Sequence, residues 1–250
     1  MDKSRLATEA KAFQGLYDIR LPKKSYCILQ LDGKAFHTYT KGLELPFDDR
    51  FIKAMDDTAK TVLDSLSNAK FAYVQSDEIN IFLTDLDGEN QEPFYGNRVQ
   101  KIVSTSAGFA SAFMSRQFPE KDIAVFDGRY FATPTVETTA NFFIWRQLDA
   151  IKNSIQATGQ AHFSSKELDK KHSGLVKEML LEKGVVWEDL EQGKKMGRLI
   201  SREETAKTVT YVHKKTGIKE TIETTSYPWV SKGAPFLMDD SFLTDIVPVL

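Results

Sequence analysis

The 250 residues carry 33 basic and 35 acidic side chains, a formal net charge of −2, with 41% apolar and 27% charged residues. That balance excludes disordered, collagen-like and coiled-coil chains, and no run approaches the ~18 apolar residues of a membrane helix. A lone cysteine, Cys27, excludes a disulfide framework and a cysteine zinc cluster, and the near-neutral charge requires any nucleic-acid contact to come from a local patch.

The opening segment MDKSRLATEAKAF lacks the apolar stretch of a secretory signal, so the expected compartment is the cytoplasm. Phe13 and Tyr17, four residues apart, read as core or interface. Residues 26–31 (YCILQL) form an apolar run of strand length that ends at the turn pair Asp32-Gly33. Residues 48–66 place Phe51, Ile52, Met55, Ala59, Val62, Leu63 and Leu66 on one helical stripe. Residues 71–74 and 79–83 are β-rich and bracket Gln75, Ser76, Asp77 and Glu78, a hairpin with an acidic tip. A helix follows over 97–115, and a fourth strand over 124–131 that Pro134 closes.

Strand, helix, strand, strand, helix, strand is the split βαβ order of a ferredoxin-like α+β sheet with helices on one face. After Pro134 the pattern changes to a long helix over 135–162, a second over 167–183 ended by Gly184, and a hairpin over 207–224. The hairpin turns at Lys214-Lys215-Thr216-Gly217. The expected division is 1–134 and 135–250, with Pro119 as an alternative boundary.

In that topology the first and third strands are central and antiparallel, so Asp32 and the pair Asp77-Glu78 converge at one rim. Carboxylates at close range repel, and a cation between them relieves the repulsion. Oxygen donors without histidine or cysteine suit magnesium, and two such ions clamping a triphosphate suit nucleotidyl transfer. Each motif also has a plain reading, Asp-Gly as a strand-ending turn and Asp-Glu as a solvated hairpin tip. Gly33-Lys34-Ala35-Phe36-His37 can cradle phosphate with backbone amides, although the Walker spacing is absent. Phe142, Phe143 and Trp145 read as core packing, and Asp149 as a group that orients Arg146. Lys194, Lys195 and Arg198, and separately Lys214-Lys215, are basic clusters that fit either a solvated face or an RNA phosphate grip.

The ordered series LDGKAFHTYTKG, YVQSDEINIFL, GNRVQKIVSTSAGFASAFM, VFDGRYF, WRQLDAIKNSI and LLEKGVVWEDL, over about residues 5–200, resembles the tRNA-histidine guanylyltransferase family. In particular it resembles the guanylyltransferase-like 3′–5′ polymerases of bacteria and archaea. The resemblance implies a polymerase-type palm followed by a finger-like helical and hairpin region. It implies a homotetramer that uses ATP and GTP with two Mg2+ ions to extend the 5′ end of tRNA. Asp32, the Gly33 carbonyl and Asp77 would hold metal, with Glu78 beside them. Lys34, Ala35, Phe36, His37, Ser76, Arg98 and Lys101 would bind nucleotide, and Asn153 would join the RNA contacts.

Two positions depart from the family pattern. Ile151 stands where the eukaryotic enzymes have histidine, which favours template-directed 5′-end repair over strict tRNA-histidine specificity. Leu45 stands where a lysine often precedes the proline. The rival readings are a palm-fold nucleotide cyclase, whose GGDEF signature is missing here, and a non-catalytic RNA-binding protein.

Overall fold

The computed structural model describes residues 3–214 and 216–238. The helix stripe at 48–66 folds as expected. Asp48 caps it by accepting from the Phe51 amide at 2.8 Å, and α3 (Asp49–Ser65) buries Met55, Ala59, Val62 and Leu63. The β-rich runs become β1 (Tyr26–Gly33), β2 (Ala69–Gln75), β3 (Glu78–Thr84) and β4 (Phe126–Thr133). Together with β5 (Arg198–Arg202) and β8 (Trp229–Gly233) they form one antiparallel sheet in the order β4-β1-β3-β2-β5-β8.

Period-two alternation sorts the strand residues onto two faces. Leu29, Leu31, Ala72, Val74, Ile79 and Ile81 face α3 and α4 (Val99–Gln117), the two helices expected on one side. Tyr26, Ile28, Phe71, Tyr73 and Phe82 face the other side, which the 27-residue α5 (Val136–His162) covers. With both faces covered, β3 is buried along its whole length, its polar residues Glu78, Asn80 and Thr84 included.

On the α5 face the character changes along the strands. Apolar residues fill the Tyr26 end, and Gln30, Asp32, Gln75, Glu78 and Asn80 occupy the other end in register. The helix changes with them, since Phe143 packs on Phe71 at 4.8 Å and Arg146, almost one turn on, meets Glu78.

The second helix expected after α5 is broken. A capping box of Ser164 and Glu167 starts the short α6 (Ser165–Leu168), Lys170 turns into the left-handed region, and His172 caps α7 (Ser173–Glu182). With Trp187 these helices bury Leu168, Val176 and Leu180 against the far half of α5. The hairpin expected near 207–224 stands apart as a two-stranded ribbon of β6 (Thr205–Val212) and β7 (Lys219–Ser226), exposed along nearly its full length. Lys214 lies near its tip, and Lys215 lies outside the described residues. Phe13 is 70% and Tyr17 68% exposed, so neither belongs to the core. They flank the end of an exposed first helix, α1 (Lys3–Gly15).

Candidate active site

Three cavities meet at the β2–β3 hairpin, and each has a distinct chemistry. Ser76 and Asp77 form its two-residue turn, with Ser76 in the left-handed region at φ 46°. The turn is tied to the end of β1 by the Gly33 amide, which donates to the Asp77 carbonyl at 3.1 Å. Asp32 and Asp77 thereby border one polar cavity of about 350 Å³ with Arg129, Trp145 and Arg146. Burial and then the charges of Asp77, Glu78 and Asp127 push the Asp32 carboxyl up to about 6, with Arg129 opposing. Burial likewise raises Asp77, against hydrogen bonds from its own backbone amide and Ser76.

Glu78 has another place. It is 5% exposed, and Arg146 grips it with Nε and Nη2 at 2.7 Å each. Asn80, Gln75 and Gln30 donate to the same carboxylate at 2.6, 3.1 and 3.2 Å. Its lone pairs are committed, so Glu78 is not available to a metal. This corrects the expectation of three acidic side chains meeting around an ion. The physical reason is the sheet register, which aims Glu78 at α5 while Asp77 stays in the turn.

Among the described residues no three His, Cys, Asp or Glu groups converge as a metal cage. Asp32 and Asp77 with the Gly33 carbonyl still fit magnesium, which takes one or two carboxylates and fills its shell with water and substrate phosphate. They do not fit zinc.

The second cavity, about 300 Å³, lies over the loop after β1 and is lined by Gly33, Ala35, Phe36, His37, Ser76 and Asp77. Ala35 adopts φ 57°, and among the described residues the amides of Ala35, Phe36 and His37 have no acceptor. The Lys34 amide is different, because it donates to the Val125 carbonyl at 2.8 Å. A backbone contact from Lys34 to phosphate is thus excluded, although its side chain is exposed.

The third cavity, about 210 Å³, is the apolar one. Leu43, Leu45, Pro46, Phe51 and Ile52 border one side and Ala150, Asn153 and Ala157 of α5 the other. It shares Ser76 and Thr40 with the second cavity, and Ser76 and Asn153 with the polar one.

Several expected residues lie elsewhere. Arg98 pairs with Asp18 at 3.3 Å, and the Lys101 ammonium sits 4.2 Å from the Tyr95 ring centroid. Both follow Asn97, which lines a crevice with Cys27. Neither Arg98 nor Lys101 borders the three cavities that meet at the hairpin. Arg198 is 7% exposed and held by Asp56 at 2.6 Å, which corrects its assignment to a surface grip. Lys194 pairs with Asp49 at 2.7 Å, and Lys195 donates to the Glu188 carbonyl, so the basic cluster is dispersed. Asn153 is exposed and lines two of the cavities.

Sequence reasoning missed Arg129, Trp145 and Asp127 as site residues. Trp145 is 56% exposed instead of packed, with the Arg146 guanidinium 4.3 Å from its ring centroid. The signal for Arg129 and Asp127 was present, because both alternate on β4 in register with Gln30 and Asp32.

The chain matches a family model described as tRNAHis guanylyltransferase over residues 7–134. It is 32% identical to the tRNA(His) guanylyltransferase of Debaryomyces hansenii over 54% of this chain and 53% of that protein. It is 31% identical to tRNA(His) guanylyltransferase 2 of Arabidopsis thaliana over 58% of this chain and 27% of that one. It therefore spans about half the length, or less, of these two relatives. A bacterial guanylyltransferase-like protein in complex with ATP superposes with a TM-score of 0.85 at 32% identity, over 97% of this chain and 99% of that one. A complex with GTP gives 0.76 at 30% identity, over 97% and 98%.

Proposed function

The chain belongs to the tRNAHis guanylyltransferase family, and from that premise we propose that it adds nucleotides in the 3′–5′ direction to the 5′ end of tRNA. Template pairing chooses the nucleotide, and GTP is the preferred donor. In the first step an oxygen of the tRNA 5′-monophosphate attacks the α-phosphorus of ATP and pyrophosphate leaves. In the second the 3′-hydroxyl oxygen of GTP attacks the activated 5′ phosphorus, loses its proton, and AMP leaves.

The observation that carries this reading is the hydrogen bond that ties the Asp77 turn to Gly33, because it brings two repelling carboxylates to the mouth of an amide-lined loop. Magnesium ions, held by Asp32, Asp77 and the Gly33 carbonyl, would lower the pKa of the attacking hydroxyl and neutralise the leaving group. The free amides of Ala35, Phe36 and His37 donate to the triphosphate. The apolar cavity takes the base, and the exposed Leu45 forms part of its wall where the family often has lysine. Arg129 supplies positive charge beside Asp32, whereas Arg146 is committed to Glu78 and Asp149.

Ile151 packs on the small core around Ile155 and Trp187, which supports repair of several tRNAs over strict recognition of tRNA-histidine. Lys214 and the ribbon's other lysines, Lys207 and Lys219, form the RNA grip. The working form is a cytoplasmic homotetramer, for which exposed Phe13, Leu16, Tyr17 and Ile19 offer apolar surface to cover.

The test is incubation with labelled ATP, GTP and 5′-phosphorylated or 5′-truncated tRNA. Wild type yields adenylylated and then extended RNA, and Asp77→Asn yields neither. A cyclic nucleotide product without RNA, or RNA binding without turnover, overturns the reading.

A further inference from the structure

Arg198 begins β5 beside Gly197 and is the only arginine bordering the apolar cavity among the described residues. Its burial calls for an explanation. At 7% exposure its guanidinium keeps one hydrogen bond, from Nε to Asp56 at 2.6 Å, and Asp56 spends its other oxygen on Ser231 at 2.7 Å. Neither terminal nitrogen has an acceptor among the described residues, and Nη2 is fully buried without one. A buried charged donor left unmet is disfavoured unless something outside the chain meets it. The cavity beside it opens toward the loop whose amides are also unmet, through Ser76 and Thr40.

A guanidinium offers donors only. The guanine edge presents two acceptors, O6 and N7, whereas adenine presents N7 and the N6 amine, a second donor. We propose that Arg198 reads the base of the incoming nucleotide of the second step and favours a 6-oxo purine over a 6-amino purine, so that ATP binds for the first step without this contact and more weakly. This rests on the reading that the apolar cavity holds the base. Asp56 fixes the guanidinium at Nε, and Nη1, the terminal nitrogen that is not sealed in, is left to donate to the base. The cation that sequence alone assigns to an RNA backbone thus becomes a specificity group for the nucleotide.

The experiment measures equilibrium binding of GTP, ITP and ATP by titration calorimetry on the full chain with magnesium. ITP keeps O6 and N7 but lacks the 2-amino group, so it separates Arg198 from any group that reads the 2-amine. Wild type should bind GTP and ITP about tenfold or more tighter than ATP, the worth of a charge-assisted hydrogen bond. Arg198→Met, which deletes every donor, should bring the three affinities together. The double variant D56N/R198Q, which removes both charges at once, should do the same through a larger loss of GTP and ITP affinity than of ATP affinity. A wild-type GTP to ATP ratio near one, or a ratio that survives in the double variant, overturns the proposal. Ala157→Phe fills the cavity and separates the two ideas. If it abolishes binding of all three nucleotides while the Arg198 variants keep the ratio, the base site stands and Arg198 does not read it. If it leaves all three affinities intact, the base lies elsewhere and both readings fall.

Discussion

Replacing Arg146 by methionine probes what holds the polar half of the α5 face together. The buried Glu78 carboxylate accepts from five side-chain nitrogens, and the two from Arg146 are the only charged ones. Methionine keeps the aliphatic stem and deletes both charged bonds, so three neutral amides remain to support a dry negative charge. Removing one partner of a buried ion pair costs about 3–5 kcal/mol. At about 2–4 °C per kcal/mol for a chain of this size, the melting temperature at pH 7.5 falls by roughly 6–20 °C. Asp149 also loses its bond to Arg146 Nη2, but its side chain is 37% exposed and water replaces the partner. Adding Glu78→Gln removes the stranded charge, so the double variant should recover about half of the loss. Urea denaturation of wild type, both single variants and the double variant, followed by circular dichroism, measures the cycle. An Arg146→Met variant within about 1 kcal/mol of wild type, or a double variant no more stable than Arg146→Met, refutes the reasoning.

The Asp32 carboxyl sits at about 6 against an ordinary 3.8, so the folded chain holds that proton more tightly than the unfolded chain does. In metal-free protein the group's contribution is full below about 4 and is lost as pH climbs through about 6. Asp32→Asn should therefore raise the melting temperature above pH 6 and leave it unchanged near pH 4, and a loss of stability at pH 7.5 would contradict this. Magnesium should stabilise wild type more at pH 8 than at pH 5, and Asp32→Asn little at either, as a thermal-shift series would read. Trp145→Ala should leave stability within about 0.5 kcal/mol, as for an exposed residue, yet slow 5′ extension several-fold; an unchanged rate would remove Trp145 from the site. Gly197→Ala should cost more than about 1 kcal/mol, because φ is +77° and a Cβ would lie 2.5 Å from the Tyr73 hydroxyl. A variant as stable as wild type in urea would count against that strain.

The helices and strands around the site were legible because each is specified by neighbours in the chain. The stripe of α3 and the apolar run of β1 need no distant partner. The nearness of Asp32 to the Asp77 turn followed from topology, since the first and third strands of this fold must pair. Glu78 could not be read in the same way. Side by side with Asp77 in sequence it looks like a second ligand, but strand geometry sends adjacent side chains to different surroundings, and its partner Arg146 lies 68 residues away. Arg198 and Asp56, 142 residues apart, are the same case, a cation that sequence assigns to solvent and packing carries inward.

Local pattern thus determined the first four strands, the helices packed on them and the two carboxylates at the rim, but not β5 and β8, which complete the sheet, nor the break between α6 and α7. Only the folded chain decided which charges are free and which are spent. Arg98 is paired with Asp18 and Lys101 sits over the Tyr95 ring, whereas Arg129 and Trp145 line the cavity of the carboxylates. The reason is physical. A side chain's propensity acts over a few neighbouring residues, whereas its charge is fixed by whatever it is buried against, and that depends on every crossover of the chain.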